Sequence, residues 1–262
     1  MQRLILPALV LVLGIALGSS VAFAQTTFPI ENHYKVYFTQ PNPSVNIHLW
    51  LDDQWGITEY TLGEILFNFA NPVQKNGSTV YFPDVHHTWW FLPSNTQDPA
   101  RTVELDNQFG RQTWTVRQAE YLLLPAAKSV PPAAPPEPLP PNAANHYKCY
   151  GATGPSVTIT VDLVDQFGQT TSVATNPRFF CNPVAKRLDS GEVFPIVDPE
   201  AHLACYELQP IIPAFRQLIA VDQFGTWELL AREAQWLCLP THKLRTVPVQ
   251  ENTWGGLKVL YR

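Results

Sequence analysis

Val45, Ile47, Leu49 and Leu51 alternate with Asn46, His48 and Trp50, and Val157, Ile159, Val161 and Leu163 alternate with Thr158, Thr160 and Asp162. A period of two over seven residues puts the apolar set on one face of a half-buried strand. Each run leads to an acid or amide followed by Gln, an aromatic and Gly. The tetrapeptide occurs as Asp53-Gln54-Trp55-Gly56, Asn107-Gln108-Phe109-Gly110, Asp165-Gln166-Phe167-Gly168 and Asp222-Gln223-Phe224-Gly225. Asp or Asn can hydrogen-bond the backbone two residues on, and Gly supplies the positive φ that closes a hairpin. Asp53, Gly56, Asn107, Gly110, Asp165, Gly168, Asp222 and Gly225 therefore read as structural turn residues. The Asn in the second copy argues against a general acid, because a turn tolerates that exchange and a proton donor does not.

Aligned on the glycines, each copy lies between a His-led aromatic opening (His33, His87, His146, His202) and a Pro-x-x-Lys close ending at Lys75, Lys128, Lys186 or Lys243. Proline ends a strand because it has no N–H to give the ladder. The frame returns about every fifty residues, the mark of an array of like units. The repeats run 32–75, 86–128, 145–186 and 201–243, each reading as about three strands. Three strands bury too little alone, so the repeats are expected in pairs that share a core. The fold class is all-β: two tandem domains, 25–128 and 145–262, each a small barrel or sandwich with pseudo-twofold symmetry. Between them Ser129 to Ala144 holds seven prolines and one charge, the composition of a semi-rigid spacer of roughly 3 Å per residue. Thr226 to Trp236 has a competing helical reading, although the other repeats read as strand there. Leu257 to Tyr261 reads as a closing strand in the C-terminal tail.

Composition adds the compartment. Only 15% of residues are charged and 25 are proline, which suits short strands and turns better than long helices. Residues 1–24 have the form of a secretory signal peptide: Arg3, an apolar run from Leu4 to Leu17, and Val21-Ala22-Phe23-Ala24 before Gln25. An uncleaved anchor is the alternative, but the run is short for a membrane span. No later segment reads as a span, so the mature chain is expected to be exported, periplasmic or extracellular. Loss of Arg3 makes that chain one unit more negative than the −5 of the whole sequence. With no basic cluster, nucleic acid is not an expected partner.

All four cysteines fall in the second half, at matching places in repeats three and four: Cys149 with Cys181, and Cys205 with Cys238. The first half has Val36 with Ala70 and Trp90 with Leu123 there. Presence and absence in pairs fits buried disulfides in an oxidising compartment. The alignment favours pairing within each repeat; Cys149 with Cys238 and Cys181 with Cys205 is also consistent. A zinc site is the sharper alternative, and no C-x-x-C spacing supports it.

His146-Tyr147-Lys148-Cys149-Tyr150, Asp165-Gln166-Phe167-Gly168 and Cys181-Asn182-Pro183-Val184-Ala185-Lys186, in that order, resemble an exported repeat family catalogued as a domain of unknown function (DUF7450). Repeat three matches closely and repeat four well, whereas repeats one and two lack the cysteines. The resemblance implies no reaction. Within the chain the recurrent histidines could hold a metal. A residue present in every unit is more often needed by the fold, and His86 and His87 point to opposite faces of a strand. The recurrent lysines read as solvated loop charges, and no nucleophile elbow, zinc-protease, P-loop or dinucleotide motif occurs. No catalytic residue, metal ligand or cofactor is therefore assigned. Trp50, on the polar side of its strand, and Trp55, at a turn tip, are candidate ligand-stacking aromatics. The reading that follows is a non-catalytic interaction or cell-envelope module whose partner is an envelope protein or a polysaccharide. A carbohydrate-binding module using the two tryptophans and an unrecognised secreted hydrolase are the alternatives.

Overall fold

The computed structural model describes residues 30–63, 66–94 and 98–248. The signal-like segment 1–24 and the tail strand at 257–261 lie outside the described residues. Every element is a strand. The first repeat supplies β1 (His33–Gln40), β2 (Ile47–Asp53), β3 (Gly56–Leu62) and β4 (Leu66–Lys75), and the second β5 (His86–Phe91), β6 (Arg101–Asn107) and β7 (Gly110–Ser129). The third supplies β8 (His146–Thr153), β9 (Ile159–Asp165), β10 (Gly168–Leu188) and the two-residue β11 (Val193–Phe194). The fourth is two long strands, β12 (His202–Asp222) and β13 (Gly225–Pro248). The segment Thr226 to Trp236 lies within β13, so the helical reading falls. It pairs with β12 on one side and β1 on the other.

The openings and closes build a ring. β1 pairs with β4, β4 with β5, β5 with β7, β7 with β8, β8 with β10, β10 with β12, β12 with β13, and β13 with β1 again. All these pairings are antiparallel, and each repeat contributes two strands. Tyr34, Trp89, Leu123, Tyr147, Phe179 and Leu203 belong to one buried cluster, which holds a residue from every strand of the ring. Only the inward face of a closed ring can bring such residues together.

Both disulfides lie in that inner cluster and join residues of the same repeat, Cys149 to Cys181 and Cys205 to Cys238. Each bonded pair sits directly opposite across its ladder, as Val36 does to Ala70. In the second repeat the residue opposite Leu123 is Trp89, and Trp90 faces Leu122. The frame of that repeat therefore starts at His86, one residue earlier than the alignment on His87. Two adjacent histidines made the register ambiguous in the sequence, and the strand pairing resolves it.

The hairpins leave the ring and cross to the opposite repeat. β2 pairs with Ala185 to Leu188 of β10, and β9 with Gln74 and Lys75 of β4. β6 pairs with His242 to Pro248 of β13, and Ile219 to Val221 of β12 with Ala127 to Ser129 of β7. Their inner faces (Leu49, Leu51, Val103, Leu105, Val161, Leu163) pack over the outward ring residues Tyr37, Trp90, Tyr150 and Tyr206 in a second, larger core. All four crossings join one half of the chain to the other, so the halves share one sheet instead of forming the two tandem domains expected. The Pro-rich segment joins β7 to β8, which are paired neighbours. It is a long exposed loop, not a spacer.

Candidate functional site

The turn tetrapeptide is the most recurrent polar feature, and its local role is as read. Asp53 Oδ1 accepts the Trp55 N–H at 2.9 Å, Asn107 Oδ1 the Phe109 N–H at 2.8 Å, Asp165 Oδ1 the Phe167 N–H at 3.0 Å, and Asp222 Oδ1 the Phe224 N–H at 2.8 Å. The turn glycines hold φ between 95° and 150°, where a side chain would be strained. The second carboxylate oxygen does what sequence could not show. Asp53 Oδ2 accepts the Tyr150 O–H at 2.7 Å and Asn182 Nδ2 at 3.0 Å. Asp165 Oδ2 accepts the Tyr37 O–H at 2.7 Å, and Asp222 Oδ2 accepts Trp90 Nε1 at 2.9 Å and the Thr88 hydroxyl at 2.6 Å. Each tip is thus fastened to the opening strand of the repeat opposite. Asn107 keeps the arrangement by reversing the polarity: its Nδ2 donates to the Tyr206 oxygen at 3.1 Å, and that O–H donates to Gln112 Oε1 at 3.2 Å.

The next two residues of each turn reach the neighbouring repeat. His33 Nε2 lies 3.1 Å from Gln108 Oε1, His146 Nε2 3.0 Å from Gln223 Oε1, and His202 Nε2 2.9 Å from Gln54 Nε2. Burial is the main cause that lowers the pKa of His33 and His202 to about 4 and of His146 to about 3, so all three are neutral near pH 7. His86 holds the corresponding place in the second repeat and is likewise depressed by burial. His87 faces inward instead, edge-on to Tyr34 and Tyr147. The histidines occupy separate seams of the ring. Among the described residues no three His, Cys, Asp or Glu side chains form a group that could hold a metal.

Of the closing lysines, Lys75 and Lys186 are buried and Lys128 and Lys243 are partly buried, so none is a fully solvated loop charge. Lys75 lies over Phe109 at 5.5 Å, Lys128 over Phe167 at 4.6 Å, and Lys186 over Phe224 at 4.7 Å, each ring coming from the turn of the following repeat. Lys186 also donates to Gln223 Oε1 and is wholly buried. Desolvation draws its pKa down to about 7 and that of Lys128 to about 8. A long aliphatic stem lets a lysine lie against aromatic surface, and composition alone gives no sign of it.

The two candidate tryptophans part company. Trp55 is half-buried, packed on Tyr150 at 4.6 Å and Phe180 at 6.0 Å, with the Arg101 guanidinium 4.9 Å from its centroid. It is the counterpart of the anchoring phenylalanines and belongs to the core. Trp50 lies on the outer side of β2, with Arg187 4.0 Å over its ring and His48 edge-on at 4.5 Å. An open recess of about 770 Å³ on one side of it is lined by Thr58, Glu59, Thr61 and Ser94. A smaller one of about 180 Å³ on the other side is lined by Asp52, Arg187 and Val193. Ile57 lines both and is 69% exposed. His48 bridges two carboxylates, Nδ1 to Asp189 Oδ1 at 2.7 Å and Nε2 to Glu59 Oε1 at 2.6 Å. Those hydrogen bonds raise its pKa. Sequence reasoning singled out Trp50 but not its companions, because they come together from β2, β3 and the segment that ends the third repeat.

A family model described as a repeat of unknown function, DUF7450, matches residues 86–240, more than half of the chain, and the chain belongs to that family. Neither a curated protein nor a solved structure matches.

Proposed function

We propose that this member of the DUF7450 repeat family is an exported, non-catalytic interaction module of the cell envelope or its surroundings, binding through the sheet surface around Trp50. One observation carries the reading. The recurrent Asp, Gln, His and Lys side chains that could have been taken for chemistry fasten repeat to repeat, and burial holds them in place. Trp50 meets the third repeat only through Arg187, on the outer face of the sheet, and is flanked by two recesses and by charged groups of both signs. A large aromatic in a rim of Arg, His and carboxylates is the composition of a recognition surface. The two disulfides and the signal-like segment support an oxidising, exported setting. Among the described residues no helix is long and apolar enough to cross a membrane.

A polysaccharide partner is the second reading, favoured by the open recess beside an indole plane, on which a sugar ring can stack. Pull-down of the mature protein on insoluble peptidoglycan, cellulose and chitin, compared with Trp50→Ala, separates the readings. Retention on one polymer that the variant loses identifies a carbohydrate. For a protein partner, a photo-crosslinker at Ile57 in producing cells should give a discrete adduct that Trp50→Ala abolishes. Turnover of ester, glycoside or peptide substrates by the purified protein would overturn the non-catalytic assignment.

A further inference from the structure

Lys35 and Lys148 occupy the same place in the first and third repeats, two residues after the opening histidine. Both are almost fully buried, 2% and 1% exposed. Each donates to a threonine two residues beyond the turn glycine of the other's repeat: Lys35 Nζ to Thr170 Oγ1 at 2.8 Å, Lys148 Nζ to Thr58 Oγ1 at 3.0 Å. Each also has an arginine nearby at one register. Arg101 stands nine residues before Gly110 and opposite Val116; Arg216 stands nine before Gly225 and opposite Ala231, the corresponding partner.

The two arrangements differ at the position that supplies an anion. Three residues before Arg101 is Asp98, whose Oδ1 lies 3.9 Å from Lys148 Nζ and whose Oδ2 accepts the Ala119 N–H at 3.2 Å. Three residues before Arg216 is Pro213. Beside Lys35 there is a recess of about 260 Å³, lined by Lys35, Arg216, Thr170, Phe167, Ile212 and Pro213. The nearby carboxylate of Asp165 is already engaged by Tyr37 and Asn71, and among the described residues Arg216 forms no ion pair. Lys35 and Arg216 bring positive charge to the recess, and no carboxylate is among its lining residues. A buried ammonium held by a hydroxyl and the Tyr37 ring, with no carboxylate in hydrogen-bond contact, is incompletely compensated. In the other half of the molecule the chain itself supplies the anion.

We infer that the Lys35–Arg216 recess binds a small monocarboxylate, whose carboxylate takes the place that Asp98 fills beside Lys148. Arginine and lysine together give the ligand charge-assisted hydrogen bonds, and Ile212, Pro213 and Phe167 offer its body an apolar wall. Size limits that body to a single ring or short chain. The site is separate from the Trp50 surface, and it stands or falls independently of the function proposed above.

The test is a nuclear magnetic resonance titration of the labelled mature protein with benzoate, galacturonate, inorganic phosphate and benzamide. Benzoate or galacturonate should shift the amides of Gly168 to Thr170 and Ala214 to Arg216 saturably, while the neutral benzamide does not. The tighter of the two acids tells an aromatic acid from a sugar acid. Arg216→Ala should weaken binding about tenfold or more. Pro213→Asp, on an exposed bulge, should abolish it by supplying an internal carboxylate. Equal binding of benzamide, phosphate binding as tight as the acids, no saturable shift, or unchanged affinity in Pro213→Asp would each overturn the inference.

Discussion

The Asp53 carboxylate, at the tip of the first repeat's hairpin, accepts the phenol O–H of Tyr150 in the third repeat at 2.7 Å. One oxygen closes the turn and the other joins opposite sides of the ring. Tyr150→Phe should therefore cost about 1–2 kcal/mol, and Asp53→Ala more, because it also frees the turn amide and leaves Asn182 without its acceptor. A double-mutant cycle by urea denaturation should give a coupling of about 1 kcal/mol or more. Additive effects would mean that the two side chains merely adjoin.

The ring predicts what a cut will do. Proteolysis within the exposed loop after Ser129 should leave two fragments that elute together as one folded species and separate in denaturant even without reductant, since both disulfides lie in the second half. Expressed alone, neither half should show a cooperative transition, because every hairpin has its ladder partner in the other half. Independent folding of either half would contradict the topology.

Intact mass with and without reductant should differ by four hydrogens. The first repeat already shows what can replace a disulfide in the inner core, Val36 opposite Ala70. Cys149→Val with Cys181→Ala should accordingly fold, at a loss of about 3–4 kcal/mol for opening a loop with a sequence separation of 32. A loss near zero in denaturant titration would show that the bridge does not constrain the unfolded chain.

Acid should destabilise the fold well above carboxylate pH. His33, His87, His146 and His202 are held down at about 3 to 4 by burial, whereas an unfolded imidazole titrates near 6.5. As pH falls through that window the unfolded chain takes up protons that the folded one refuses, so stability drops. Glu31, buried and accepting from Tyr34 and Tyr147, has its carboxyl raised by desolvation. It acts with the opposite sign and favours the folded state as pH falls. Lys186, at about 7 against an ordinary 10.5, adds stability as pH rises above neutral. Urea midpoints measured from pH 4 to 9 should climb, and His146→Gln should flatten the acid limb; a level profile would refute the burial argument.

The alternation before Asp53 and Asp165, the four turns and the cysteine pairing were legible because each rests on local geometry or on a match between repeats. The register at His86 and His87 was not, because two identical neighbours give no basis for choosing between them. Nor could sequence show that Asp53 meets Tyr150, or that Lys186 is buried beneath Phe224. Those contacts join residues that only ring closure brings near. The Pro-rich loop misled for a related reason: composition reports stiffness, not whether the flanking strands are neighbours. Trp50 and Trp55 looked alike as aromatics near one turn, and only the opposite repeat distinguishes them by covering Trp55.

The diagonal hairpins also fix the order in which the chain can become native. The first repeat needs β10 from the third and β13 from the fourth before its own strands are fully paired. A leading portion of the polypeptide therefore lacks ladder partners that arrive only with the third and fourth repeats. Most contacts span long sequence separations, which slows folding. The last repeat is thus as necessary to the first repeat's ladders as the first repeat's own strands are.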